Sequence, residues 1–143
     1  MRGTRSMDKR KMEKMLDLMT DLADYSTRGV PILVEGKRDE SALKGLGIEG
    51  RIIRVRQYRK RLFELAEELT FYKTVIILTD FDQEGEKLAD ELSKHLHSWG
   101  VQTILRERFR STVSWASRQL EGLSRIGGLR ENLNNRQFII KSS

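Results

Sequence analysis

Val75-Ile76-Ile77-Leu78-Thr79-Asp80-Phe81-Asp82-Gln83-Glu84-Gly85 is the stretch on which the fold turns. It opens on an unbroken apolar, mostly β-branched run, the kind of strand that a parallel sheet buries on both faces. Acids crowd the end of that run, and a glycine follows. Working back along the chain, Ile52-Ile53-Arg54-Val55 reads as a second strand and Ile32-Leu33-Val34 as a first, which ends in Glu35-Gly36. Working forward, Val101 to Leu105 reads as a fourth. Apolar residues at helical spacing predict helices over Asp39–Leu46, Leu62–Phe71 and Leu88–Trp99, the last stopped by Gly100. Ser111 to Leu123 reads as a final helix, broken by Gly127-Gly128. Strands and helices alternate through short connections, which predicts βαβ units: an α/β fold with a parallel sheet covered on both faces.

Ahead of the first strand, Met12, Met15, Leu16, Met19, Leu22 and Ala23 form a helical stripe with charged residues opposite. Such a stripe is a core-packing face. Gly29 and Pro31 close that helix. The expected division is a flexible lead over 1–6, an N-terminal helix over 7–28, the α/β domain over 29–131, and a polar C-terminal tail over 132–143 around Phe138-Ile139-Ile140.

The 143 residues suffice for one core, and 34% of them are charged, with a formal net charge of +6 and a pI of about 9.8. That balance favours a polyanionic partner, since cationic surface binds phosphate by releasing counterions. The absence of cysteine excludes disulfides, thiolate chemistry and Cys-based zinc sites. No apolar run approaches the ~20 residues that span a bilayer, so no membrane partner is expected. The polar, basic start does not read as a secretory signal, and a cytoplasmic setting is expected.

In open parallel sheets, sites form at the carboxyl ends of the strands. Two strands here end in acids. If they are neighbours, Glu35, Asp80, Asp82 and Glu84 converge on one rim. Carboxylates are the hard oxygen ligands that Mg²⁺ takes, one or two at a time with water and phosphate, and Mn²⁺ can substitute. Clustered acids without a cation would repel one another. A metal relieves that repulsion and neutralises charge on a transferring phosphoryl group. Gly36 and Gly85 would let backbone approach a phosphate closely. The plain competing role is helix capping: Asp80 or Asp82 can N-cap the following helix, with Glu84 and Glu86 in its first turn.

Glu35-Gly36-Lys37-Arg38-Asp39 after one strand and Asp80-Phe81-Asp82-Gln83-Glu84-Gly85 after another resemble the two motifs of the Toprim domain. That domain is shared by type IA and type II topoisomerases, DnaG-type primases, OLD-type nucleases, RecR recombination proteins and a ribosomal-RNA-maturing ribonuclease. The likeness covers roughly Pro31 to Leu105 and is greatest to small free-standing Toprim proteins. It implies a Rossmann-like sheet of four parallel strands. It also implies Glu35 as general acid/base, Asp80 and Asp82 as the metal pair, and Glu84 as a third acid. Strand passage and primer synthesis, for which the family's topoisomerases and primases use additional domains, are not expected of this chain alone.

Basic residues flank the same rim. Arg51, Arg54, Arg56, Arg59, Lys60 and Arg61 gather near the end of the second strand, and Arg106, Arg108 and Arg110 follow the fourth. Lys37 and Arg38, beside Glu35, are the best placed to hold phosphate. Tyr58 and Phe109 are candidates for base stacking. Against this stands a solvated charged surface with Glu64, Glu67, Glu68 and Glu107 as partners. His95 and His97 lie two apart on a helix and cannot share a metal.

The expectation is therefore a metal-dependent nuclease or RNA-processing enzyme acting on nucleic acid, RNA ahead of DNA. The alternative is a non-catalytic nucleic-acid-binding or adaptor module, working as a homodimer or with a partner enzyme. Receiver domains place their acid pair after the first strand, and haloacid-dehalogenase-type phosphatases place Asp-x-Asp there. This chain carries a lone Glu at that position.

Overall fold

The strand over Thr74–Leu78 (β3) lies inside a four-stranded, all-parallel sheet, with Val75 to Leu78 fully buried. The structure is a computed structural model that describes residues 2–79 and 81–123. The other strands are β1 (Ile32–Val34), β2 (Ile52–Arg54) and β4 (Gln102–Arg106), in the order β2-β1-β3-β4. Leu33 pairs with Ile77 and with Ile53, and Leu78 pairs with Arg106. The two central strands, β1 throughout and β3 from Val75 onward, are apolar because they meet helices on both faces without an open edge.

Side chains alternate across the sheet. Ile32, Val34, Ile76 and Leu78 face one layer, which holds Met15, Met19 and Leu22 of α1 (Arg2–Thr27), Leu43 of α2 (Lys37–Gly45), and Phe109 and Val113 of α5 (Phe109–Leu123). Leu33, Ile53, Val75 and Ile77 face the other, with Leu65 and Leu69 of α3 (Leu62–Leu69) and Leu88, Leu92 and Leu96 of α4 (Gln83–Ser98). The α/β fold with helices on both faces is as the sequence predicts.

The element limits differ in instructive places. The N-terminal helix starts at Arg2, ahead of the expected start at residue 7, since no glycine or proline after Gly3 interrupts it. Helix α4 starts at Gln83 rather than Leu88: its first turn is polar and lacks the apolar stripe, but Asp82 caps it. A short 3₁₀ turn over Val55–Tyr58 replaces the end of the expected second strand. The tail over 132–143 lies outside the described residues. Among the described residues no helix is long and apolar enough to cross a membrane.

The chain leaves β1 toward β2 and leaves β3 toward β4. Between β1 and β3 the winding direction therefore reverses, which opens a crevice at the carboxyl ends of those two strands.

Candidate functional site

Glu35 follows directly on β1 and is only 7% exposed. Its main-chain oxygen accepts the Arg56 N–H at 3.1 Å, which extends the β1–β2 pairing by one step. That bond fixes the backbone from which the carboxylate projects into the crevice. Asp82 follows β3 and is the N-cap of α4. Its Oδ1 accepts the Gly85 N–H at 2.8 Å, as a capping carboxylate does. The strand ends meet where the Asp82 N–H donates to Glu35 Oε2 at 3.3 Å.

One guanidinium joins the two carboxylates. Arg56 Nη2 lies 2.6 Å from Glu35 Oε1 and 2.9 Å from Asp82 Oδ2. Arg110, from the first turn of α5, pairs with Glu35 Oε2, and its Nε lies 3.9 Å from Asp39 Oδ1. The Gly85 N–H and then Arg56 hold the Asp82 carboxyl below its usual range. Asp82 in turn raises Arg56 above its usual value. Among the described residues, Arg56 Nε is buried without an acceptor.

Not every acid gathers here. Glu84 pairs with Arg59, 2.7 Å away, and touches neither Glu35 nor Asp82 through a hydrogen bond. Asp80 lies outside the described residues. Among those described, no group of three or more His, Cys, Asp or Glu is close enough to hold a metal. Glu35 and Asp82 are a pair, and a pair of carboxylates with water and substrate phosphate completing the shell is how Mg²⁺ is commonly held. Both carboxylates already meet one positive nitrogen, and an oxygen-only donor set of this kind fits a hard cation. Asp82 would hold it on the described side, beside Glu35.

Glycine matters here for an internal reason. A Cβ on Gly85 would lie 2.6 Å from Phe81 Cβ and 3.1 Å from Glu35 Oε2. The close approach is thus to the chain itself. Gly36 is open, with nothing within 4 Å of an added Cβ. Its N–H donates to Asp39 Oδ2 at 3.3 Å, which steadies the start of α2.

A cleft of about 840 Å³ opens beside Glu35. One wall runs from Glu35 to Asp39 and carries exposed Lys37 and Arg38; the other is α5, with Arg110, Val113, Ser114, Ser117 and Arg118. The rim arginines singled out in the sequence behave otherwise. Arg54 faces Glu40 at 3.6 Å, Arg59 faces Glu84, and Arg106 faces Asp21 at 3.8 Å. Arg108 lines a separate cavity with Thr79 and Glu107. Two stacking candidates are corrected: Phe109 is 1% exposed in the core, and Tyr58 packs on the α3–α4 layer under Arg61. Residues not singled out for the site are Asp39, Ser114, Ser117 and Arg118. The signal for the last three was the spacing of Arg110, Ser114, Ser117 and Arg118 along one helical face, and Asp39 closes the first motif.

The Toprim domain pattern matches residues 30–114. A UPF0292 protein of Methanosarcina barkeri is 39% identical over 101 residues, covering 70% of this chain and 69% of its own length. A UPF0292 protein of Pyrococcus furiosus is 36% identical over 126 residues, 88% of either chain. Among solved structures, a protein from Aquifex aeolicus superposes with a TM-score of 0.52 at 30% identity, over 71% of this chain and 90% of that one. With both motif strands inside the matched segment and Glu35 meeting Asp82 in the crevice between them, the chain belongs to the Toprim domain family, whose members typically bind Mg²⁺ in work on nucleic acid.

Proposed function

We propose that the chain is a metal-dependent phosphodiesterase acting on nucleic acid, a nuclease or RNA-processing enzyme, with RNA the substrate to try before DNA. The observation that carries this is the Glu35–Asp82 contact at the crevice between β1 and β3, beside a cleft lined with cations. On this reading Asp80 and Asp82, with Glu84 once it exchanges Arg59 for the ion, would hold Mg²⁺, or Mn²⁺, which would supply charge neutralisation at the phosphate. Glu35 moves the proton: as a carboxylate it takes one from the attacking water, or as an acid it gives one to the leaving oxygen. Lys37 and Arg38 hold the flanking phosphates, and Arg110 positions the Glu35 carboxylate. Incubation with structured RNA and with DNA tests this. Cleavage should require Mg²⁺ or Mn²⁺ and vanish in Glu35→Gln and in Asp80→Asn. Cleavage that persists in the purified double variant would sink the proposal.

A second reading draws on the same geometry. Glu35 is tied by both Arg56 and Arg110, as a purely structural carboxylate would be. That favours a non-catalytic binding or adaptor module. Salt-sensitive nucleic-acid binding without turnover over a broad substrate panel would select it.

A further inference from the structure

Two groups of basic residues near the crevice differ in their partners. Arg54, Arg56, Arg59 and Arg106 each face a carboxylate. Lys37, Arg38, Arg118, Lys11 and Lys14 make no ion pair among the described residues. A cation that is already neutralised must surrender its partner to take a phosphate, whereas an unpaired one releases only its counterions.

The second group lines two adjoining cavities. Arg118 lines the Glu35 cleft and also a second cavity of about 350 Å³, between α1 and α5. That second cavity is lined by Lys11, Lys14, Ser111, Thr112, Trp115 and Arg118, with no acid among them. Its Ser111 and Thr112 hydroxyls already donate to the Arg108 main-chain oxygen, so the three cations are its phosphate-binding groups. Trp115 is half-buried against the core and offers an indole to a base. The acids of the first cleft, Glu35 and Asp39, are already occupied by Arg56, Arg110 and the Gly36 N–H.

We propose that the phosphodiester backbone of a bound strand leaves the Glu35 cleft across α5 and continues to Lys11 and Lys14 on α1, with Arg118 as the step between the two cavities. This rests on the nucleic-acid reading above and adds the path. From Arg110 to Arg118 is eight residues, about 12 Å of helix at 1.5 Å each. That run of helix carries the basic surface from the Arg110 end of the first cleft to the second cavity. The path runs away from the rim formed by β2 and the 3₁₀ turn, where the arginines are neutralised.

Salt dependence of binding tests the path. Fluorescence anisotropy with a labelled single-stranded oligonucleotide, in EDTA so that no cleavage intervenes, gives the slope of log Kd against log [NaCl]. Lys11→Gln/Lys14→Gln/Arg118→Gln should lower that slope by about 2, at ~0.7 per lost phosphate contact on a single strand. Lys73→Gln/Lys87→Gln/Lys94→Gln removes the same charge at other places in the chain and should leave the slope unchanged. Equal slopes in wild type and the first variant would overturn the path. So would equal losses in both variants, which would mean bulk charge alone. A wild type with no salt-sensitive binding would overturn the nucleic-acid reading itself, and the path with it. The chain has two tryptophans, so Trp99→Phe isolates Trp115. In that otherwise native protein, Trp115 emission should change when the oligonucleotide binds, and an unchanged spectrum at saturation would also count against the path.

Discussion

Glu35 Oε2 accepts the main-chain N–H of Asp82 at 3.3 Å, across 47 residues of sequence. The bond ties the end of β1 to the start of α4 and makes the two Toprim motifs a single structural unit. A carboxylate placed this way is set by backbone on one side and by Arg56 and Arg110 on the other.

Glu35→Gln keeps an acceptor for the Asp82 N–H but discharges the centre. The orphaned guanidiniums, on side chains 38% and 43% exposed, can turn to water. The loss of stability should therefore stay at about 1 kcal/mol or less, far below the ~3–5 kcal/mol of a fully buried broken pair. Activity should fall by about 10²–10⁴, the usual contribution of a general acid or base. Thermal melts and cleavage rates measured on one preparation separate the two effects.

At Asp82, capping and metal holding come apart by choice of substitution. Asparagine is as good a cap as aspartate. Asp82→Asn should keep the α4 start and its melting temperature close to wild type while weakening Mg²⁺ binding in calorimetric titration. Asp82→Ala should lower both. An alanine variant with an unchanged melt would show that the Gly85 contact does not hold the helix.

Arg56 occupies the space between the carboxylates that a cation would share. Arg56→Gln should tighten Mn²⁺ binding, on the order of tenfold, because the ion no longer competes with a fixed positive charge. Electron paramagnetic resonance of free Mn²⁺ in a titration reads this directly. Weaker binding in the variant would mean that Arg56 supports the ion through the shell rather than excluding it.

Gly85→Ala sets two effects against each other. Alanine gains up to ~1 kcal/mol of helix propensity over glycine. The added methyl meets Phe81 Cβ at 2.6 Å, and a Cβ cannot swing aside. Overpacking costs ~1–3 kcal/mol, so a net loss of stability is expected, with Glu35 displaced as well. A stabilised variant in urea unfolding would overturn this.

Ile77 is fully buried at the middle of the sheet, so Ile77→Ala should cost about 2–5 kcal/mol in denaturant unfolding.

Much of this was legible in the sequence where apolar patterning is strong. The runs Ile32-Leu33-Val34 and Val75 to Leu78 specify central strands because burial on both faces demands unbroken apolar residues. Their acidic ends then fall at the crevice by topology. Gln83-Glu84-Gly85-Glu86 shows no apolar stripe, so the periodicity alone places the start of α4 too late; the capping role open to Asp82, with Glu84 and Glu86 in the first turn, is the signal that the structure bears out. Phe109 looked like a surface aromatic between Arg108 and Arg110. It is instead the first core-facing position of α5, which no local pattern announces. The partners of the arginines were illegible for a similar reason. Glu35 and Arg110 are 75 residues apart, and only the packing of α5 beside α2 brings them together.

Helices α1 and α5 stand at opposite ends of the described chain, yet they lie side by side on one face of the sheet. The acids of the crevice come from the middle of the sequence and from strands that neither helix interrupts. The inward faces of α1 and α5 are core, with Met15, Met19, Leu22, Phe109 and Val113 buried, so only their outward faces are free to vary. Changes there can reshape the surface beside the crevice while the spacing between Glu35 and Asp82 stays under the control of β1 and β3. Divergence among such proteins should accordingly gather in the terminal helices first.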